Sequence, residues 1–408
     1  MKKRMERKGH EVLRTIHAGL VMFFLFTSGV EAADWTLLST GRNDIYYDCS
    51  FVDAKTGWII GASDVGSKGV VLKTTDGGLT WMRQESDSLG SYTSIHRVSR
   101  LELWIAGSNG ALLHTTDGGS NWTPVPSGVK STFSRITFRS ATHGFAAGSG
   151  GVVIRTTDGG TTWSECTNIR TVDSLAGQVN NLFCEGNDVY VASFNTMIRS
   201  SDNGASWTVV STLPANGTIH RTINLGSRIL CVTREGSTYV STDEYRTWTR
   251  QTSLGFSACG QYFRDASNGW VCGSKGSIVT TTDGGGTWNT AYTGLGSRVL
   301  WSVSPADSVT MYCVGTVGTV LRSSLTTTSV NDATDCAAPS MNPAAIVMPD
   351  DGYVPMTTFS GEDAVDVVAV NGDLVLRTPA LQPVYLGHLT PGVYALRAGI
   401  KRMLVVVK

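Results

Sequence analysis

The segment Thr74-Thr75-Asp76-Gly77-Gly78-Leu79-Thr80-Trp81 returns five more times along this chain of 408 residues. The later copies contain the pairs Asp117 and Trp122, Asp158 and Trp163, Asp202 and Trp207, Asp243 and Trp248, and Asp283 and Trp288. Successive aspartates are 41, 41, 44, 41 and 40 residues apart. A fixed period in this range predicts a solenoid or a propeller. One unit is too small to bury its own apolar faces, so each unit must pack against its neighbours.

Each copy has the composition of a tight turn between two antiparallel strands. We expect the Asp76 carboxylate to accept hydrogen bonds from backbone N–H groups one or two residues further along, and Gly78 to adopt a positive φ. The Trp81 ring is suited to wedging between adjacent units. Strand-forming runs lie on both sides of the turn, at 70–74 and 81–84. We therefore interpret the six aspartates as structural residues, not as catalytic or metal-binding ones.

Two further strands precede each turn, because an aromatic-small-Gly segment such as 57–61 and an apolar anchor such as Phe51 recur upstream. Four short strands in about 40 residues are typical of a β-propeller blade. A seventh unit ends at 322–325 without the aspartate or a following Trp strand, whereas Trp35 begins a strand with nothing before it. The sequence thus predicts an all-β, seven-bladed propeller over residues 33–330, closed by the N-terminal strand.

Composition narrows the classes of function. The formal net charge is zero, which argues against binding to nucleic acid. The eight cysteines show no Cys-x-x-Cys spacing, so we expect no metal site, and nothing in the chain suggests a cofactor. We expect mostly buried thiols, with one or two disulfides at most.

The first 32 residues read as a signal peptide. Six basic residues precede the apolar run 18–26, and Val30-Glu31-Ala32 offers small residues where a signal peptidase cleaves. The apolar run is too short to span a membrane, so the mature chain is expected to have no transmembrane segment. An uncleaved anchor is the alternative.

The repeated turn resembles the Asp box, or bacterial neuraminidase repeat, of sialidases, sortilin-type receptors and xyloglucanases. With Gly57-Trp58-Ile59-Ile60-Gly61 before Thr74–Trp81, and similar pairs in later blades, residues 35–330 most resemble the photosystem II stability and assembly factors. The resemblance implies a single seven-bladed propeller. It says less about function, since many relatives outside photosynthesis share the repeat.

The last part of the chain differs in pattern. A polar linker at 331–341 precedes the β-rich segment 342–408, in which Asn371-Gly372 predicts a hairpin. Its Asn-Pro start and the run 389–394 (Leu-Thr-Pro-Gly-Val-Tyr) resemble the C-terminal sorting domain of proteins exported by the type IX secretion system. The resemblance implies a small β-sandwich, the secretion machinery as a partner, and an extracellular or outer-membrane-attached protein that crosses the periplasm. A β-sandwich without a sorting role is the alternative.

No catalytic constellation is apparent, so we expect no enzyme. The nearest match to the sialidase Phe/Tyr-Arg-Ile-Pro motif, 134–137, lacks both the aromatic residue and the proline, and no pair of carboxylates stands out as in glycosidases. Four arginines near inner-strand anchors predict an anion-binding ring on one rim of the channel: Arg97, Arg135, Arg221 and Arg298. Locally paired, solvated arginines are the alternative.

These observations predict a monomeric, secreted or cell-surface scaffold that binds an unidentified protein or glycan. A periplasmic protein resembling the photosystem II assembly factors is the first alternative. A divergent glycoside hydrolase, resembling sialidases or xyloglucanases, is the second.

Overall fold

The computed structural model describes residues 34–324, apart from 66–67, 85–89, 168, 170–176 and 215–216, together with seven strands between residues 345 and 407. The predicted signal peptide and linker and Cys336 lie outside the described residues. The chain divides into two units, Met1–Thr328 and Ser329–Lys408, which are described separately.

The first unit is built from four-stranded antiparallel sheets. Strand β1 (Asp34–Leu38) precedes six consecutive sheets, blades 1 to 6, and in each of them sequential strands are hydrogen-bonded neighbours. Blade 1 contains β2 (Ile45–Phe51), β3 (Gly57–Ala62), β4 (Gly69–Thr74) and β5 (Met82–Gln84), and blade 2 contains β6 (Tyr92–Arg97), β7 (Leu103–Gly107), β8 (Leu112–Thr115) and β9 (Thr123–Pro124). Blade 3 contains β10 (Phe133–Phe138), β11 (Gly144–Gly148), β12 (Val153–Thr156) and β13 (Ser164–Glu165), and blade 4 contains β14 (Val179–Glu185), β15 (Asp188–Ser193), β16 (Thr196–Ser200) and β17 (Thr208–Thr212). Blade 5 contains β18 (Ile219–Asn224), β19 (Ile229–Thr233), β20 (Ser237–Ser241) and β21 (Thr249–Ser253), and blade 6 contains β22 (Ala258–Phe263), β23 (Gly269–Gly273), β24 (Ile278–Thr281) and β25 (Asn289–Tyr292).

The seventh sheet contains both ends of the propeller. It combines β26 (Leu300–Pro305), β27 (Thr310–Gly315) and β28 (Val320–Ser324) with β1 as its outer strand. Strand β1 runs antiparallel to β28, with Trp35 opposite Ser323. The first strand of each sheet lies beside the first strands of the two neighbouring blades, so these seven inner strands surround a central channel. The predicted all-β, seven-bladed propeller and its closure by the N-terminal strand are therefore confirmed.

Apolar side chains fill the spaces between successive blades. Trp58 and Ile60 of blade 1 pack with Tyr92 and Ile105 of blade 2, and all four are nearly inaccessible to solvent. Trp35 belongs to a cluster that contains Trp270 of blade 6 as well as residues of blade 7. Because each cluster draws on two blades, no blade completes its core alone.

The repeated Asp holds its turn more tightly than the sequence pattern predicts. Asp76 Oδ1 accepts hydrogen bonds from the Thr74 hydroxyl at 2.8 Å and from the backbone N–H of Thr80 at 2.9 Å, while the Thr80 hydroxyl donates to Oδ2 at 2.5 Å. The backbone donor thus lies four residues further along, not one or two as expected. The other five aspartates each accept the backbone N–H four residues on in the same way.

Glycine in the turn makes room for the neighbouring blade. Gly160 has φ +86°, and a Cβ atom there would overlap the Trp104 ring of the preceding blade. The Trp163 ring of the same turn meets the Trp104 ring edge-on, with centroids 5.7 Å apart. The repeated turn is therefore a packing element that joins adjacent blades.

Short 3₁₀ turns connect the second and third strands of blades 2, 3 and 6, at Ser108–Gly110, Ser149–Gly151 and Ser274–Gly276. Among the described residues, no helix is long and apolar enough to cross a membrane. The seven described cysteines are free thiols, six of them buried, with Cys184 only partly so.

The second unit is described by its strands alone. They are β29 (Ala345–Val347), β30 (Tyr353–Val354), β31 (Ala364–Ala369), β32 (Leu374–Pro379), β33 (Val384–Tyr385), β34 (Gly392–Ala398) and β35 (Lys401–Val407). Five of them form one sheet in the order β29-β35-β34-β31-β32, and β30 pairs with β33. Strands β31 and β32 are antiparallel neighbours on either side of the predicted Asn371-Gly372 hairpin, whose turn residues lie outside the description.

Replacing Trp35 by Ala should destabilise the whole propeller. Its side chain is 8% exposed and packs between blades 6 and 7, so its loss is expected to lower the free energy of unfolding by about 3–5 kcal/mol. Urea titration followed by circular dichroism measures this change. The matched control is Leu37→Ala in the same strand, because Leu37 is 50% exposed. Equal urea unfolding curves for W35A and the wild type would contradict closure of the ring by this strand.

Acid should weaken the fold through the repeated turns. Hydrogen bonds from the side chain and backbone of Thr80 lower the pKa of Asp76 to about 2, and the equivalent bonds do the same for Asp117, Asp158, Asp202 and Asp243. An unfolded Asp has a pKa of about 3.9, so the unfolded chain takes up protons first as the pH falls. The stability contributed by these turns is complete above about pH 5 and is lost progressively as the pH falls through the unfolded pKa towards 2. Urea midpoints at pH 7, 4, 3 and 2 test this, and Asp117→Ala should reduce the decline.

Candidate functional site

Every inner strand of the propeller carries an irregularity at the same place. In all seven blades the pairing of the first strand with the second shifts register near the start of the first strand, as in blade 2 between Tyr92 and Ser94. Such a bulge leaves one residue unpaired and re-aims its side chain. The seven residues at the shift are Tyr47, Thr93, Ser134, Asn180, His220, Cys259 and Trp301.

These seven residues all line a single cavity of about 420 Å³. Since each of them lies near the beginning of an inner strand, the cavity is the mouth of the central channel on one face of the propeller. Arg135 and Arg234 also contribute to its lining. We refer to this cavity as the channel mouth. Its size is within the range of ligand pockets in proteins.

The residues that follow the bulges form the next ring down the channel. They are Asp48, Ser94, Arg135, Asn181, Arg221, Gly260 and Ser302. Asp48 is the acidic member of this ring and is fully engaged: it accepts hydrogen bonds from the Ser302 hydroxyl at 2.7 Å and from the backbone N–H of Ile95 at 3.2 Å. Arg135 Nη1 lies 3.7 Å from Asp48 Oδ2, which makes a loose ion pair.

Arg221 lacks a hydrogen-bond partner among the described residues, and its Nε is buried. Burial, followed by the nearby charge of Arg135, lowers the pKa of Arg221 to about 9. Burial likewise lowers the pKa of Arg135, and Asp48 opposes that change. Two guanidiniums therefore share one carboxylate, which leaves an excess of positive charge within the channel. An unpaired buried cation is costly, so an incoming anion would be stabilised there.

His220 lies among these charges and is neutral near pH 7. Burial, and then the charges of Arg221 and Arg135, lower the pKa of His220 to about 3. Its Nε2 is in hydrogen-bond contact with the carbonyl oxygen of Cys259. A ring nitrogen facing a carbonyl oxygen must be the protonated one, which assigns the tautomer. His220 therefore adds polar surface to the channel mouth without adding charge.

The four arginines predicted to share one rim are separated in the structure. Arg135 and Arg221 occupy equivalent positions in β10 and β18 and face each other's charge in the channel. Arg97 is the exposed last residue of β6, so it lies towards the opposite end of the channel. Arg298 precedes β26 and donates to the Thr319 hydroxyl at 3.0 Å, where it lines a different cavity. The prediction that all four arginines form one ring is thus wrong. Only Arg135 and Arg221 lie at the candidate site.

Sequence reasoning missed three members of the site. Arg234 is an exposed residue directly after β19, and it was not singled out because it belongs to no recurring segment. His220 and Asp48 are bulge and post-bulge residues, and only the register of the inner strands identifies them as neighbours. Among the described residues, no group of three His, Cys, Asp or Glu side chains is arranged to hold a metal ion.

Comparison with protein families gives one match that spans more than half of the chain. The model described as photosynthesis system II assembly factor YCF48 matches residues 28–131 and 124–261. The chain belongs to this family. No curated protein sequence matches the chain.

Solved structures agree with the YCF48-type fold. A YCF48 structure described as bound to a D1 peptide has 20% sequence identity and a TM-score of 0.59, covering 71% of this chain and 94% of that one. YCF48 from Cyanidioschyzon merolae also has 20% identity, with a TM-score of 0.57 and coverage of 71% and 98%. The GH74 enzyme of Niastella koreensis is 14% identical with a TM-score of 0.50, and the match covers 71% of this chain but only 44% of that enzyme. At these identities the likeness concerns the fold.

Proposed function

We propose that this protein is a non-catalytic binding propeller of the assembly-factor type, which holds a carboxylate of a partner polypeptide at its channel mouth. The observation that carries the proposal is the unpartnered Arg221 guanidinium beside Arg135. Arginine binds carboxylates through short, charge-assisted hydrogen bonds, often two at once. A carboxylate entering here would pair with a guanidinium whose buried Nε has no hydrogen-bond partner among the described residues.

A polypeptide is the favoured partner for two reasons. The mouth is lined by small polar and aromatic side chains, including Tyr47, Ser134 and Trp301, which suit an extended chain with mixed chemistry. One YCF48 of the same fold is described as bound to a D1 peptide, and family membership supports a related role here. The partner's carboxylate must reach the channel arginines through the channel mouth. A free C-terminus can do so because it can enter a narrow opening first.

Binding is favoured over hydrolysis at this site. The described residues lining the mouth include no carboxylate, whereas glycosidases flank the scissile bond with two of them. Asp48, the nearest acid, is only 7% exposed and already accepts three hydrogen bonds. These features support the expectation of a non-catalytic scaffold over the glycoside hydrolase alternative.

The test uses the full chain and peptides of one sequence prepared with either a free or an amidated C-terminus. Charge-assisted hydrogen bonds contribute about 1.5–3 kcal/mol, so amidation should weaken binding at least tenfold in fluorescence anisotropy. The double variant Arg135→Gln with Arg221→Gln should lose the preference for the free carboxylate while remaining folded by circular dichroism. Peptides drawn from photosystem subunits and from envelope proteins of the producing cell separate the two classes of partner.

The matched controls are Arg97→Gln and Arg298→Gln. Both arginines were predicted from the same sequence pattern, but neither faces the channel mouth, so binding should remain as in the wild type. Equal affinity for the two forms of the peptide, or full binding by the double variant, would show that the channel arginines do not recognise the partner.

Export forms the second part of the proposal. The signal-like residues 1–32 and the sorting-domain resemblance of 342–408 support delivery across the inner membrane and then to the cell surface by type IX secretion. The antiparallel pairs β31–β32 and β34–β35 are compatible with that resemblance. A periplasmic location, as in the assembly-factor alternative, would require only the first signal.

Deleting residues 336–408 should distinguish between a cell-surface and a periplasmic location. If the segment is a sorting signal, the truncated propeller should accumulate in the periplasm of a host with type IX machinery, while the full chain reaches the surface. Fractionation and surface proteolysis measure the outcome. The reciprocal fusion of 336–408 to an exported reporter should move that reporter to the surface. Surface delivery of the truncated chain would refute the sorting role.

A further inference from the structure

A second polar cavity lies on the face of the propeller opposite the channel mouth. It has a volume of about 500 Å³ and is formed between blades 4 and 5. Glu185 and Asn224, which line it, are the last residues of inner strands β14 and β18. The channel mouth, in contrast, surrounds the beginnings of the inner strands. The two sites are therefore separate, and we refer to this one as the blade 4–5 pocket.

The turn of blade 5 departs from the repeat where it borders this pocket. It reads Asp243-Glu244-Tyr245-Arg246-Thr247-Trp248, with two side chains in place of the paired glycines found in four of the other five turns. Glu244 and Tyr245 keep the positive φ of those glycines, at 57° and 70°. Glu244, Tyr245 and the following Arg246 all line the pocket. The repeat is thus altered at the residues that build this wall.

Tyr245 organises the interior of the pocket. Its ring packs against the Tyr190 ring of blade 4, with centroids 4.8 Å apart. Its hydroxyl donates to Glu185 Oε2 at 2.6 Å, and the Asn224 amide donates to the other oxygen. Glu185 is consequently held in one orientation by two neutral donors from the neighbouring blade. In the turn of blade 3 this place is taken by Gly160, which leaves room for Trp104.

Two of the three carboxylates that line the pocket are paired with guanidiniums, while Glu185 is held by the neutral donors described above. Arg199 Nη2 lies 2.7 Å from Asp188 Oδ2, and Arg246 Nη2 lies 3.6 Å from Glu244 Oε2. The lining therefore presents both hydrogen-bond donors and acceptors, with one carboxylate more than guanidiniums. A strip of apolar surface runs beside them, since Val209 is 53% exposed and also lines the pocket.

We propose that the blade 4–5 pocket binds a neutral saccharide. Each sugar hydroxyl both donates and accepts a hydrogen bond, which matches a lining of paired carboxylates and guanidiniums. The C–H face of a sugar ring would lie against Val209. An ion of either sign would meet groups of its own sign, and an apolar ligand would leave charged groups unpaired. A volume of about 500 Å³ is within the usual range of small-ligand pockets.

The test is saturation-transfer NMR on the full chain. The probes are the methyl glycosides of glucose, galactose, mannose and N-acetylglucosamine, together with maltose and cellobiose. Acetyl-arginine amide and methyl phosphate serve as the cationic and the anionic probe. We expect transfer to at least one saccharide and none to the charged probes. The double variant Asp188→Asn with Glu244→Gly should reduce the saccharide affinity at least fivefold. It should remain folded, because Glu244→Gly restores the residue that most of the other turns carry at a positive φ.

Two controls separate this site from the others. Glu102 of blade 2 occupies the position of Asp188 in its own blade and pairs with His114 at 3.2 Å, but it does not line the pocket. Glu102→Gln should bind saccharide as the wild type does, and so should the channel variant Arg135→Gln with Arg221→Gln. No saccharide transfer to the wild type, equal transfer to the Asp188 and Glu244 double variant, or transfer only to a charged probe would overturn the proposal.

Discussion

The fold depends on one constraint, which is that each sheet can bury its faces only against the sheets on either side. Cores such as the one joining Trp58 to Tyr92 lie between blades, and none is complete within a single blade. A row of such sheets would end in two exposed faces, so the row must close into a ring. Closure is achieved by hydrogen bonding: β1 completes the sheet of β26 to β28 across nearly the full length of the described propeller. A hydrogen bond between Ser302 of blade 7 and Asp48 of blade 1, 254 residues apart, joins the last blade to the first.

The repeated turns set the spacing between blades. The Asp carboxylate is used entirely inside its own turn, where it binds the hydroxyl before it and the backbone and side chain four residues after it. The second glycine then lets the neighbouring aromatic ring approach, as Gly160 does for Trp104. In the turn of blade 5, Tyr245 replaces this glycine, and its ring packs directly against the Tyr190 ring of the neighbouring blade. That exchange places polar groups at a junction that is otherwise apolar.

The two faces of the propeller offer different chemistry. One face opens into a channel in which Arg135 and Arg221 exceed the single carboxylate available to them. The other face has the blade 4–5 pocket, in which two of the three carboxylates are paired with arginines. A repeat fold separates these sites naturally, because inner-strand starts and inner-strand ends lie on opposite faces. The family match places the chain in the YCF48 family. The excess of guanidiniums in the channel is the basis of the carboxylate binding that we propose.

The sequence by itself determined the architecture of the propeller. The period of the Asp and Trp residues predicted the blades, and the isolated Trp35 strand together with the degenerate unit at 322–325 predicted the closure. These features are local, since each turn contains its own hydrogen bonds. The arginine ring could not be placed in this way. Arg97, Arg135, Arg221 and Arg298 precede their apolar anchors by one, three, four and five residues, so they lie at different levels along their inner strands.

Only the tertiary structure decided which charged groups meet. Asp48, Arg135 and Arg221 come from three different blades, and the wall of the blade 4–5 pocket comes from two. Contacts of this kind depend on strand register and on packing around the ring, which no local sequence signal encodes. The repeat therefore predicted the propeller, whereas the role of the residues that depart from the repeat depends on which blades lie next to each other.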